Sequence, residues 1–297
     1  MPNMKKRGRD TPPLVTVGLP VYNGELTVGR AIVSLLSQSF FNFELIVSDN
    51  ASIDGTEAIC RAFAAKDSRI RYVRQETNLG AAGNFRFVLQ EARGRYFMWA
   101  ASDDSRSPDF LMQNVEFLEA NPDYIASTCP NCFEGEEDKP ALFVDFSVQG
   151  SLAARYLQFL RNCWKSHGIF YSVMRTATIR ECDIPGQAFT AADWAVDLFL
   201  ASRGSIHRTE RGVAVFGRQG ISNQSNAWRV FRSRPVELVL PFYRFSLYAL
   251  GLMKPLPWGP WFKVLGLLVM LNLKASFDQT YAGAYAFYRQ YIRSTWQ

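Results

Sequence analysis

The 297-residue chain lacks the marks of several large protein classes. It has no GxxxxGK followed by Ser or Thr, so a P-loop nucleotide site is excluded. No GxGxxG follows its first apolar run, so a dinucleotide Rossmann site is excluded as well. It shows no internal repeat, no low-complexity tract, no helix-turn-helix pattern and no RNA-recognition aromatic motif. Basic residues Lys5, Lys6, Arg7 and Arg9 stand near the N-terminus, but Thr11-Pro12-Pro13 follows them where a secretory signal would have an apolar segment. A short disordered basic arm over residues 1–13 is expected. The five cysteines, Cys60, Cys129, Cys132, Cys163 and Cys182, are an odd number without a leader, which fits a reducing compartment rather than a disulfide framework. Cys129 and Cys132 form a CxxC that Cys163 and His167 could complete as a zinc set. The second pair is loosely spaced and no glycine knuckle follows the first, so small half-buried side chains are the expectation.

The apolar fraction of 48% against 20% charged residues is that of a globular chain. The net charge of +6 is unevenly placed. Residues 203–297 hold 13 Lys and Arg against 3 Asp and Glu, while residues 1–202 hold 20 against 24. A basic third beside an acidic body points to contact with an anionic surface. In residues 235–297, prolines divide the sequence into short apolar pieces flanked by Trp258, Trp261, Tyr243, Arg244, Lys254, Lys263 and Lys274. The longest piece, residues 261–273, is shorter than the ~20 residues of a spanning helix. This composition suits a segment lying in a membrane interface and speaks against nucleic acid as the partner. A packed apolar sub-domain or a homodimer face is the alternative.

The first half alternates strands and helices. Strands are expected at 14–19, 43–47, 70–73, 96–101 and 124–129, and helices at 25–38, 56–66, 81–93 and 108–120. Asp54 is expected as an N-cap, Gly94 as a left-handed cap and Pro108 as a first helical residue. Further helices are expected at 150–163 and 191–203. Such alternation argues for a mostly parallel sheet covered on both faces, with ligands at the carboxyl ends of its strands. Polar residues follow four successive strands: Pro20, Tyr22 and Asn23; Asp49; Asn78, Gly80 and Asn84; Asp103 and Asp104. They would share one edge of one sheet. Two adjacent carboxylates after an apolar strand repel each other unless a cation separates them. Mg2+ or Mn2+ would do so and would also hold a diphosphate.

These motifs resemble family 2 glycosyltransferases, which have the GT-A fold. The matching pieces are residues 17–23, 44–56, Asn78 to Gly80 with Asn84, and Ser102-Asp103-Asp104 before Pro108; a weaker likeness runs from about 165 to 225 around Ala192-Asp193-Trp194. The resemblance implies an α/β fold with a mostly parallel central sheet, in a catalytic domain at 14–225 with a nucleotide-sugar half at 14–130 and an acceptor half at 131–225. The last 60 residues lie outside the family's core; their own pattern makes 226–297 a C-terminal, mainly helical apolar segment, expected to be membrane-interfacial. The resemblance also implies that Pro20 and Tyr22 line the nucleoside pocket, that Asp49 accepts from the base, and that Asn23, Asn78, Gly80 and Asn84 complete the donor site. Asp104 would bind Mn2+ or Mg2+, and Asp103 would help hold ribose and metal. Asp193 would be the base that takes the acceptor proton, with Asp197 one turn later as its rival. His167 would border the acceptor site, and Arg218 would reach the diphosphate.

The implied activity is inverting transfer of one sugar from a nucleotide-sugar, UDP-linked, to a lipid-linked or cell-envelope glycan at the inner face of the cell membrane. The pattern departs from the family in reading Ser-Asp-Asp at the acidic motif and Ala-Asp before the base. It also lacks the Gln-x-x-Arg-Trp of processive synthases, which favours single transfer. A catalytically inactive sugar-nucleotide-binding or scaffold protein is the competing class.

Overall fold

The computed structural model describes residues 12–136, 146–165, 168–184, 187–218 and 231–287. Most of the expected basic arm, and His167, lie outside the described residues. Strands β1 (Val15–Val21), β2 (Phe43–Asp49), β3 (Ile70–Arg74) and β4 (Tyr96–Trp99) alternate with helices α1 (Val28–Leu36), α2 (Thr56–Ala64) and α3 (Gly80–Gln90). After β4 come β5 (Ser105–Arg106), α4 (Phe110–Ala120), β6 (Tyr124–Thr128), β7 (Asn131–Phe133), α5 (Leu152–Asn162), β8 (Val173–Arg175), α6 (Thr176–Arg180), α7 (Ala192–Arg203), β9 (Ser205–Arg208) and β10 (Ala214–Phe216). The chain continues with α8 (Tyr243–Leu252) and α9 (Trp258–Phe287).

The main sheet has the order β3-β2-β1-β4-β8-β6-β9. Its first four strands are parallel and β8 runs against both neighbours. A three-stranded sheet, β5-β10-β7, lies apart from it. Side chains alternate across the main sheet with the strand period of two. Along β4, Tyr96 and Met98 enter one core, with β1 and α1, while Phe97 and Trp99 enter the other, with α3, α5 and α7. The wholly apolar β4 is central, as its composition requires.

Several local expectations are corrected. Gly94 follows a helix that ends at Gln90 and caps nothing. A Cβ there would sit 2.6 Å from the Thr16 amide nitrogen and 2.7 Å from the Tyr96 carbonyl oxygen, so only glycine allows this backbone approach. Pro108 lies before α4, whose N-cap is Asp109. Asp54 stands one residue before the N-cap of α2, yet its carboxylate accepts from the Thr56 amide at 3.0 Å. Strands β5, β7, β9 and β10 are too short to show a period and were not expected.

The largest correction concerns the C-terminal third. Pro260 does not break the chain: it falls in the first turn of α9, where its missing N–H has no intrahelical partner to lose. The stretch Trp258–Thr280 is one helix long and apolar enough to cross a membrane by length and composition. One side of it is core, however. Val264, Leu268, Leu271 and Ala275 of α9, with Phe245 and Ala249 of α8, share a buried cluster with α5 and α7.

The small sheet is tied down by one buried ion pair. Asp104 is 6% exposed; its Oδ1 accepts from the Gly217 amide at 3.0 Å and its Oδ2 from Arg106 Nη2 at 3.3 Å. The Arg106 guanidinium is enclosed by the rings of Phe110, Tyr171 and Phe216 at 5.5–5.8 Å. Removing one partner of such a pair strands the other charge in the interior. Asp104→Ala is therefore expected to cost about 3–5 kcal/mol in a denaturant melt. The double change Asp104→Leu with Arg106→Met should cost less than the single one. A wild-type melt for Asp104→Ala would show that the pair holds nothing together.

Candidate active site

The carboxyl ends of the parallel strands carry the expected polar residues, and the structure sorts them by what they already hold. Asp49 is wholly buried. Its Oδ1 accepts from the Ser52 amide at 2.9 Å, and its Oδ2 accepts from Tyr72 Oη and Arg74 Nη1, both at 2.8 Å. Tyr72 and Arg74 are two apart on β3, so both face the end of β2. Asn84 is buried; its amide donates to the Ser48 carbonyl and its oxygen accepts from the Ser48 hydroxyl. Asn78 accepts from the Gly80 amide and from Asn50, with Gly80 at φ +73°. Asp49, Asn78, Gly80 and Asn84 thus shape the rim by fixing turns. Pro20 ends β1 in the core, and Tyr22, 47% exposed, presents its ring at that edge. Asn23 crosses to the next loop, where its side chain accepts from the Ile53 amide.

Strain marks the same region. Among the described residues, the non-glycine positions with positive φ are Asn23 (50°), Ala51 (60°) and Ala191 (65°). The first two follow β1 and β2, and the third is the N-cap of α7, two residues before Asp193. Such conformations cost about 1–3 kcal/mol each and persist where the surroundings impose them.

The two acidic residues after β4 have different environments. The sequence expectation placed the metal on Asp104, but both its oxygens are engaged and it is buried. Asp103 is the half-buried member of the pair, and its side chain lies against Gly217, where a Cβ would meet its Cγ at 2.6 Å. Burial raises the Asp104 pKa, while Arg106 and the Gly217 amide oppose the shift. One arginine stands at Asp103 and a second follows Gly217. Arg30 donates to the Asp103 backbone carbonyl and pairs with Glu134. Arg218 pairs with Glu136 at 2.7 Å and donates to the Glu134 carbonyl. Neither Arg30 nor Glu134 stands in a motif that could have announced it.

No group of three or more His, Cys, Asp or Glu side chains converges among the described residues, so the chain builds no cage of its own for an ion. A hard cation that arrives on a diphosphate needs only one or two protein carboxylates. Asp103 fits that smaller demand. The cysteines do not supplement it: Cys129 is buried, its sulfur accepts from Asn114 and Thr209, and desolvation pushes its pKa up to about 11. Burial pushes Cys163 up to about 12.

Asp193 and its rival are separated clearly. Asp197 is 2% exposed and faces the core. Asp193 meets solvent in the first turn of α7, and its Oδ1 accepts from the Trp194 amide at 3.0 Å. Desolvation raises its pKa above the ordinary carboxylate value, against the hydrogen bond from the Trp194 amide. Tyr171 links it to the acidic pair. This residue packs against both cores, and its ring contacts Phe170 and Phe216. Burial, then the negative charges of Asp104, Asp193 and Asp103, push its pKa up, so the phenol stays protonated. One side chain therefore feels all three carboxylates. Its sequence position, inside an apolar run at 169–174, gave no sign of this.

Comparison with known proteins agrees with this geometry. The family model for glycosyl transferase family 2 matches residues 16–181. EpsE of Bacillus subtilis is 40% identical over 113 residues, 38% of this chain and 41% of EpsE. The Escherichia coli UDP-Glc:alpha-D-GlcNAc-diphosphoundecaprenol beta-1,3-glucosyltransferase WfgD is 34% identical over 120 residues, 38% of this chain and 47% of that protein. The chain thus matches less than half the length of these two relatives. Among solved structures, residues 1–349 of S. aureus TarS in complex with UDP-GlcNAc superpose with a TM-score of 0.65 at 19% identity, covering 86% of this chain and 71% of that one. The mannosyltransferase PcManGT from Pyrobaculum calidifontis, in complex with GDP-Man and Mn2+, gives 0.53 at 19% identity, covering 99% and 87%. With its parallel strand ends, its acidic pair after the central strand and a family match over more than half its length, the chain belongs to glycosyl transferase family 2 and has the GT-A fold.

Proposed function

We propose that the chain is an inverting glycosyltransferase that moves one sugar from a nucleotide-sugar, UDP-linked, to a lipid-linked or cell-envelope glycan acceptor at the inner face of the cell membrane. The observation that carries this reading is the acidic pair after the central strand together with Asp193, exposed in the first turn of α7, all within electrostatic reach of the buried Tyr171. TarS bound to UDP-GlcNAc and the diphosphoundecaprenol-linked substrate in the name of WfgD support the donor and acceptor classes.

Pro20, Tyr22 and Asn23 would line the nucleoside end of the donor site, on a rim held by Asp49, Asn78, Gly80 and Asn84. Asp103 would hold Mn2+ or Mg2+ there, and the ion, when bound, would offset charge on the departing diphosphate. Arg218, next in the chain to the Gly217 that packs on Asp103, would reach the same diphosphate. Asp193 accepts the proton of the acceptor hydroxyl as that oxygen bonds to the anomeric carbon. The bond from that carbon to the diphosphate breaks, and its electron pair leaves with the nucleotide. The Asp193 Oδ1 is occupied by the Trp194 amide, so Oδ2 is the proton acceptor. A raised pKa makes this carboxylate a better base than one at the ordinary value.

Asp193→Asn is expected to lower transfer by about 10²–10⁴-fold while donor binding persists. The same phenotype in Asp197→Asn, with an active Asp193→Asn, would move the base to the buried position. Asp103→Ala should lower metal-dependent donor turnover by about a hundredfold with an unchanged melt. Full turnover would remove the metal assignment. A panel of nucleotide-sugars with Mn2+ or Mg2+ tests activity itself; binding without hydrolysis or transfer would favour the inactive scaffold.

The pH profile follows from the sign of the Asp193 shift. The base works only when ionised, so transfer should rise with pH through an acidic limb lying above the ordinary Asp value of about 3.9. Asp193→Asn should abolish that limb, as read from initial rates across acidic pH. An unchanged limb in the variant would assign it to another group.

A further inference from the structure

The C-terminal helices present a surface that the chemistry above does not use. On α9, Trp258, Phe262, Val269, Met270, Leu273 and Phe277 are each 50–77% exposed. At about 100° per residue they fall within about 120° of arc, so they form one stripe along the helix. The buried residues Val264, Leu268, Leu271 and Ala275 occupy the opposite side. The stripe is extended by Val239, 70% exposed, whose carbonyl accepts from the Ser276 hydroxyl of α9. A continuous exposed apolar face of this kind marks an interaction site.

The charge around the stripe has one sign. Residues 231–287 contain two acids, and both are engaged. Glu237 is buried and accepts from the Ser233 and Arg234 amides; Asp278 pairs with Lys274 at 2.7 Å. Arg234, Lys254 and Lys263 are exposed, Lys254 four residues before the start of α9. Lys263 and Lys274 lie along one edge of the stripe by the same helical arithmetic. An apolar stripe with tryptophan and flanking lysines is complementary to an anionic lipid surface.

A groove between α8 and α9, with a volume of about 180 Å³, opens beside this stripe, because Val269 and Leu273 belong to both. Its other walls are Leu240, Tyr243, Leu250 and Leu265. Its two polar residues are spent on each other and on the fold: Asn272 donates to the Ser246 hydroxyl and the Leu268 carbonyl and accepts from the Phe242 amide. The groove therefore offers a hydrocarbon chain contact and a polar ligand nothing.

We infer that this face docks on an anionic bilayer with α9 lying in the plane of the interface, the groove taking a hydrocarbon chain of a bilayer lipid. The helix cannot span in this fold, because its other side is core shared with α5 and α7. Docking also places the membrane one layer from Asp193: Trp194 of α7 packs on Phe242 and Phe245 at 5.1 and 6.2 Å, directly before and within α8. That this brings a lipid-linked acceptor to the base rests on the proposed function; the docking itself does not.

The test is sedimentation of the full chain with phosphatidylcholine vesicles, with and without phosphatidylglycerol. Binding is expected on the anionic vesicles, weaker on the neutral ones, and reduced by salt. Phe262→Glu with Leu273→Glu should abolish binding while leaving the melt and donor hydrolysis unchanged. Lys254→Glu and Lys263→Glu should each weaken it about fivefold or more. Protein that stays in the supernatant, or apolar-stripe variants that bind like the wild type, would overturn the inference. So would a stripe-dependent dimer, read by size exclusion, that ignores vesicles. Fluorophores placed at 262, 270 and 277 should be quenched equally by brominated lipid; a quenching maximum at mid-helix would mean a spanning segment. Loss of donor hydrolysis in the wild type would sink the proposed function and leave the docking result standing.

Discussion

Two carboxylates on adjacent residues repel, and the way this chain separates Asp103 from Asp104 organises much of the site. Asp104 receives a cation from the adjoining strand β5, Arg106, and a backbone N–H from Gly217. The rings of Phe110, Tyr171 and Phe216 enclose that cation. Asp104 is thereby buried, while Asp103 stays half-buried. The same pair binds β5 to the residue after β10, so the segment that carries Arg218 is held against the acidic motif. The electrostatic problem and the placement of the small sheet have one solution.

The parallel half was legible because its signals are local and periodic. Apolar runs closed by Pro20, Asp49 or Asp103 gave strands whose carboxyl ends share an edge, and the family resemblance rested on the same residues. What could not be read is what each polar residue holds. Asp49, Asn78 and Asn84 look alike in sequence as strand-end polar residues. Their hydrogen bonds to Tyr72, Arg74, Asn50 and Ser48 arise only when β2, β3 and α3 come together. The different environments of Asp103 and Asp104 were hidden for a similar reason, since Arg106 looks like an ordinary loop cation until Phe110, Tyr171 and Phe216 enclose it. Tyr171 was hidden in an apolar run because its neighbours are more than sixty residues away in the acidic motif.

The C-terminal third was misread in its continuity. A proline counts as a breaker unless it falls in a first turn, and Pro260 does. The apolar run stops at Leu273, but the helix does not: Lys274 and Asp278, one turn apart, pair along its continuation. Within residues 231–287 the two acids are spent, Glu237 buried and Asp278 paired with Lys274, which the charge count alone could not show.

The shared core of α7, α8 and α9 has a consequence for how this protein can be divided. Trp194, one residue from Asp193, rests on Phe242 and Phe245, and Tyr156 of α5 donates to the Leu252 carbonyl at the end of α8. A chain cut between its parallel-sheet half and its apolar tail would expose the back of the helix that carries Asp193. The two parts are thus not modules on a linker that could be exchanged or shed. The buried side of α9 and α8 forms the wall behind α7, so a cavity opened in that shared core would be felt at Asp193, whereas the exposed stripe of α9 can vary without touching it.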